Sequence, residues 1–166
     1  DQLAKKITTF VEEPEVPFPQ ADNFTKVIDL LGYLYEEDLT PSDIAEQIDF
    51  DRRQADYYYN SCLYLGLAKK YKAEDGIYAT LNEEGRRIME LPYKQKRLAL
   101  AEKILQHKIF KEIFELMKEN QNIPTEHIVE RMKSHKIHNV KSDSTFIRRA
   151  STIRGWIKWI LNLPNM

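Results

Sequence analysis

A single cysteine, Cys62, stands among 166 residues. One thiol excludes an internal disulfide and a cysteine-rich zinc site. Glycine is scarce, with 5 residues against 7 prolines. A collagen-like repeat and a glycine-rich phosphate loop are therefore absent. No apolar run approaches the roughly 20 residues that span a bilayer. No N-terminal stretch combines the charged, apolar and small-residue parts of a signal peptide. These absences lead to the expectation of a soluble, cytoplasmic protein with no membrane partner. The chain starts at Asp1 rather than Met, which leads to the further expectation of a fragment of a larger protein.

Chemistry-bearing residues are equally thin. His107, His127, His135 and His138 are the only histidines. His135 and His138 are three apart, but no Cys, Asp or Glu follows at a ligand spacing, so no metal is expected. Glu12, Glu13 and Glu15 sit in a proline-rich stretch. Glu83 and Glu84 suit the first turn of a helix better than acid–base work. Cys62 falls on the apolar face of a predicted helix, as a buried thiol does. No Gly-x-Ser-x-Gly elbow occurs. No enzyme and no cofactor are expected in this chain by itself.

What is present is an asymmetry of charge. The net charge is only −1. Residues 1–90 hold 10 Lys and Arg against 19 Asp and Glu, a net −9, while residues 91–166 hold 15 against 7, a net +8. A basic half is the footprint of a polyanion-binding surface. Two halves that attract each other would give the same count.

Punctuation divides the chain into an arm and two units. Residues 1–22 carry Pro14, Pro17 and Pro19, which exclude a regular helix and predict an extended arm or linker. Residues 23–91 form the first unit. Asn23 caps a helix to about Tyr35, with Phe24, Val27, Ile28, Leu31 and Leu34 on one face. Thr40-Pro41-Ser42-Asp43 opens a short helix ending near Ile48. Asp51 caps a third helix to about Leu65, closed by Gly66. Two short strands, Leu67–Tyr71 and Gly76–Thr80, flank the hairpin signal Asp75-Gly76. Another short helix follows Thr80 and stops by Pro92. Three helices and a hairpin read as a winged helix-turn-helix. Residues 92–166 form the second unit, with helices Tyr93–Leu105, Lys108–Glu119, Pro124 or Thr125 to Met132, and Asp143–Leu161. The long–short–long order repeats the helix-turn-helix spacing without a wing. The expected fold is mainly α, a tandem winged helix-turn-helix with a small β-hairpin wing in the first unit.

Helical angles single out two polar faces. On Asp143–Leu161, Phe146, Ala150, Ile153, Ile157 and Ile160 share the apolar face, with Trp156 at its edge. Arg148, Ser151, Thr152, Arg154, Gly155, Lys158 and Trp159 oppose them. Arginine and lysine neutralise phosphates or pair with guanine, and hydroxyls bond phosphate or base edges. Gly155 in mid-helix predicts close approach of another surface, a DNA backbone or a neighbouring helix. Arg149 lies nearer the core face and is expected to be structural, paired with a carboxylate. On the third helix, Arg53, Gln54, Tyr57, Asn60, Ser61 and Tyr64 point outward, beside the acidic Asp49, Asp51 and Asp56. The acids oppose DNA contact and favour a protein surface built on Tyr57, Tyr58 and Tyr64. Lys69, Lys70 and Lys72 make a basic patch on the wing, suited to phosphates or to solubilising an edge strand.

The segment Asp51-Arg52-Arg53-Gln54-Ala55-Asp56-Tyr57-Tyr58, the turn Tyr64-Leu65-Gly66-Leu67 and the exit Thr80-Leu81-Asn82-Glu83-Glu84-Gly85 resemble a winged-helix family of restriction–modification proteins. So does the run Thr145-Phe146-Ile147-Arg148-Arg149-Ala150-Ser151-Thr152-Ile153-Arg154-Gly155-Trp156 and its continuation to Ile160. The resemblance covers most of residues 23–162. It implies the DNA target-recognition part of a type II restriction endonuclease, with double-stranded DNA as partner and a homodimer contact or a linked nuclease domain beside it. It implicates Arg53, Gln54 and Tyr57 in the first unit, and Ser144, Thr145, Arg148, Ser151, Thr152 and Arg154 in the second. No nuclease motif accompanies them, so cleavage would belong to another segment. The alternative is a winged-helix module for protein interaction, or a transcriptional regulator.

Overall fold

The computed structural model describes residues 7, 10–14, 16–47, 51–135, 137, 140 and 142–164. The expected helix end at Ile48, and Glu15, Asp49, His138, Asn165 and Met166, lie outside the described residues. Among those described, the chain is mainly helical with one two-stranded antiparallel sheet. The order is α1 (Phe24–Glu36), α2 (Pro41–Gln47), α3 (Arg52–Tyr64), β1 (Ala68–Ala73), β2 (Gly76–Leu81), α4 (Glu83–Met89), α5 (Tyr93–Leu105), α6 (Lys108–Glu119), α7 (Thr125–Lys133) and α8 (Asp143–Leu161).

Local chemistry sets these bounds. Thr40 and Asp43 cap α2 reciprocally. The Asp43 N–H donates to Thr40 Oγ1 (3.1 Å), and the Thr40 N–H donates to Asp43 Oδ2 (3.0 Å). That is the logic of a capping box. Asp51 accepts from the Gln54 N–H at 2.8 Å and opens α3. Gly66, at φ 73°, closes α3. Its N–H meets the Leu63 carbonyl (2.9 Å) and the Leu67 N–H meets the Cys62 carbonyl (3.1 Å), a Schellman ending. The strands pair from Ala68↔Leu81 to Ala73↔Gly76. Leu39, between α1 and α2, adds a bridge to Ala79, its N–H donating at 3.1 Å and its carbonyl accepting at 2.7 Å. Nothing in the sequence marks that bridge.

The buried residues form one cluster that runs through both halves. Helix α1 packs on α3, β2, α4 and also α8, while α8 packs on α6 and α7. Trp156, fully buried, sits at the crossing. Its ring lies 5.1 Å from both Phe24 and Phe110. The described part of the arm has no regular structure, as its prolines require. It is nevertheless docked, and a free linker is not what the chain builds at residues 16–22. Phe18 is buried against Tyr64 of α3 (5.3 Å) and Phe110 of α6 (5.7 Å). The Ala21 carbonyl accepts from Trp156 Nε1 at 2.7 Å. Removal of this aromatic and apolar surface from water holds the arm down, together with a backbone bond from the Val11 N–H to the Gln106 carbonyl at 3.1 Å.

Candidate functional site

Helix α3 begins at its Asp51 cap, and its first turns stay open. Arg53 and Gln54 are exposed and Tyr57 is half-buried. Arg53 Nε donates to the Tyr57 hydroxyl at 2.7 Å, with its guanidinium carbon 5.9 Å from the ring centre. The two side chains thus hold each other in place. The rest of the expected outward face turns inward. Ser61 is fully buried and donates to the Tyr57 carbonyl (3.1 Å). Tyr64 is buried, stacked on His107 at 4.1 Å, and donates to Glu13 Oε1 at 2.8 Å. Tyr58 is buried as well. The docked arm gives α3 a second covered side, which helical angles by themselves do not foresee. Asn60 is half-buried.

Helix α8 opens on Ser142, whose hydroxyl accepts from the Thr145 N–H at 3.2 Å. Ser144, Arg148, Ser151 and Lys158 are exposed, and Thr145 is half-buried. The Thr145 hydroxyl lies 2.7 Å from Ser142 Oγ and accepts from Arg148 at 3.5 Å. Two expected contacts need correction. Thr152 is 1% exposed, so it does not present a hydroxyl at the surface. Arg154 is half-buried and donates to the carbonyls of Ile123 (2.6 Å) and Gln121 (3.3 Å), tying α8 to the α6–α7 turn. The surface that approaches Gly155 is the arm. A Cβ there would strike the Asp22 carbonyl oxygen, so only glycine lets the arm lie on the helix. Arg149 has no carboxylate partner among the described residues, and its Nε and Nη1 are buried without any acceptor.

The fold brings the open parts of the two helices together. Arg53, Gln54 and Tyr57 of α3 face Arg148 and Ser151 of α8 across a groove of about 470 Å³. Sequence reasoning missed Gln20 and Asp22, which join Asp51 in lining it. The signal for them was Phe18, a large apolar residue held between two prolines in an otherwise polar arm. The groove carries two arginines and two aspartates, so it is polar and mixed in charge. Ser144, Thr145, Lys158 and Lys70 lie outside it. Lys70 instead sits over the Tyr59 ring at 5.0 Å. Among the described residues no three His, Cys, Asp or Glu side chains gather as metal ligands. Burial pushes the Cys62 thiol up to about 12, which leaves it protonated near neutral pH.

The family model of a domain of unknown function (DUF7226) matches residues 26–165. The chain belongs to that family. No curated protein and no solved structure matches it significantly. The family match takes in both groove helices and the two-stranded hairpin. The arm residues Phe18, Gln20 and Asp22 precede it.

Proposed function

We propose that this chain is a DNA-binding module that grips duplex DNA with α3 and α8 acting as one composite face. The observation that carries the reading is the groove, where Arg53, Gln54 and Tyr57 meet Arg148 and Ser151. Arginine, glutamine and hydroxyl side chains are the types that pair with base edges and phosphates. Helix α3 turns its first turn to it, and that end of a helix favours anions. The order α1, Leu39 bridge, α2, α3, β1, β2 is that of a winged helix-turn-helix. The α6–α7–α8 trio is its wingless counterpart, so a tandem winged-helix reading suits the fold. The resemblance to restriction–modification proteins makes sequence-specific target recognition the form this binding takes, with cleavage assigned to another segment. A protein interface based on tyrosines is less well served, since Tyr58 and Tyr64 are buried.

The test is fluorescence anisotropy of labelled duplex DNA across a salt series. A variant that neutralises one phosphate fewer has a salt slope smaller by about 0.9. Arg53→Ala and Arg148→Ala are expected to lower the slope, or to relax preference at one base pair at a cost of about 1–3 kcal/mol. Lys158→Ala, outside the groove, is expected to change little. Absence of binding at low salt by folded protein overturns the proposal.

A further inference from the structure

The C-terminal end of α8 borders a second cavity, of about 280 Å³. The first turns of α5 supply Tyr93, Lys94 and Arg97, α8 supplies Trp159, and Leu163 and Pro164 beyond it add apolar surface. The volume is close to the roughly 300 Å³ at which small-molecule sites begin. Among the described residues no carboxylate lines it, whereas Asp22 and Asp51 line the groove. Neither Lys94 nor Arg97 makes an ion pair or a hydrogen bond among the described residues. Arg97 is half-buried, its guanidinium carbon 4.4 Å from the Tyr93 ring centre. Only its Nε is shut away from water, so Nη1 and Nη2 stay reachable. Arg154, half-buried as well, places its donors on two carbonyls. A cation taken part-way out of water without an acceptor is costly, and an anion entering the cavity removes that cost. Trp159 is half-buried, with the Phe24 ring 4.5 Å behind it. Unlike that of Trp156, its indole N–H meets no acceptor among the described residues.

Two rings beside two unpaired cations suit a flat ring that carries an anion. The rings offer a stacking surface. A guanidinium next to an ammonium suits a phosphate better than a carboxylate, because a phosphate monoester brings more charge and more acceptor oxygens. We propose that this cavity binds one unpaired nucleotide, its base against Trp159 and its phosphate on Arg97 and Lys94. A free mononucleotide and a nucleotide of a single strand offer the same chemistry. The bases of a duplex do not, since they are already paired and stacked on one another. The cavity shares no residue with the groove, so it stands apart from the duplex reading.

Tryptophan emission of the full chain is titrated with thymidine monophosphate, thymidine and inorganic phosphate at constant ionic strength. Of the two tryptophans, Trp156 is fully buried, so quenching reports on Trp159. The monophosphate is expected to quench, and thymidine to bind about tenfold more weakly for want of its charged hydrogen bonds. Arg97→Gln is expected to weaken the monophosphate by about tenfold, and Lys94→Gln by about threefold. Lys94 is exposed, so its variant tests the site even if Arg97→Gln fails to fold. A labelled oligothymidylate, followed by anisotropy, separates the sources. A strand that binds more tightly than the monophosphate, and weakens in Trp159→Leu and Arg97→Gln, names a single strand as the ligand. A monophosphate that binds while the strand does not names the free nucleotide. Absence of quenching overturns the site, as does monophosphate binding that Arg97→Gln and Lys94→Gln leave unchanged. Binding that Arg53→Ala and Arg148→Ala weaken instead moves the nucleotide to the groove and overturns the cavity. Inorganic phosphate that competes as well as the monophosphate reduces the site to an anion patch and overturns the role of Trp159.

Discussion

Helices α3 and α8 each start from an oxygen-bearing cap, Asp51 or Ser142. They differ in which parts of their polar faces stay open. On α3 the open part is the first two turns; Ser61 is buried, and Tyr64 disappears beneath the arm and α6. On α8 the open part runs to Ser151, is interrupted where Thr152 is buried and Gly155 lies under Asp22, and resumes at the exposed Lys158. The arm limits both faces. What it leaves uncovered includes the pair of surfaces that meet in the groove. A polar helical face is thus not a binding face by default; the rest of the chain selects how much of it is available.

The sharpest way to break this arrangement is to release the arm. Phe18→Ala empties the space between Tyr64 and Phe110 and is expected to cost about 3–5 kcal/mol, as aromatic truncations in cores do. Urea unfolding measures it. A loss below about 1 kcal/mol would mean that the arm is not part of the folded core.

Glycine substitutions separate arm contact from helix propensity. Gly155→Ala drives a methyl into the Asp22 carbonyl and is expected to destabilise by about 1–3 kcal/mol. Gly32→Ala, inside α1, meets nothing within 4 Å. It is expected to stabilise by about 0.5–1 kcal/mol through helix propensity. Equal effects at the two positions would remove the arm from the account of Gly155.

Arginines on α8 sharpen the comparison further. Arg154→Ala strands the carbonyls of Gln121 and Ile123 and is expected to cost about 1–3 kcal/mol of stability. Arg148→Ala, on an exposed side chain, is expected to stay within about 0.5 kcal/mol in the same urea experiment. The two arginines are six residues apart, and stability tells the tie from the groove wall.

Much of this fold was legible because helix ends are local. Asp51 accepts a backbone N–H three residues on, as its position before apolar periodicity foretold, whereas Asn23, expected to cap α1 in the same way, makes no side-chain cap bond. Helices α5, α6 and α8 begin and end where spacing placed them. Gly155 announced a close approach, though not its partner. What was not legible is long-range. The bond from Trp156 to Ala21 joins residues 135 apart. The turn that Arg154 ties down lies more than 30 residues away. Angular reading of a helix assumes one buried side, so it left Thr152 and Tyr64 outside. The part of the site contributed by Gln20 and Asp22 carried no periodic signal at all.

The opposite charges of the two halves give the smallest effect, where α4 meets α5. Glu84 takes Arg87 Nε at 2.6 Å and Lys103 Nζ at 2.7 Å, the latter across the boundary between the acidic and basic parts of the chain. The hydrogen bond from Arg87 first, then that from Lys103, holds the Glu84 carboxyl down at about 2 from an ordinary 4.5. A depressed carboxyl stabilises the fold only while it is ionised. Its contribution is therefore complete above about pH 4.5 and fades as pH falls toward 2. Because the carboxylate is a third exposed, water screens it, and its worth near neutral pH is at most about 1 kcal/mol. Glu84→Gln should be less stable than wild type by that amount at pH 7 and equal to it near pH 2, by urea unfolding at each pH. A gap that persists unchanged to pH 2 would mean that packing of the side chain, and not the charge between the halves, is what Glu84 supplies.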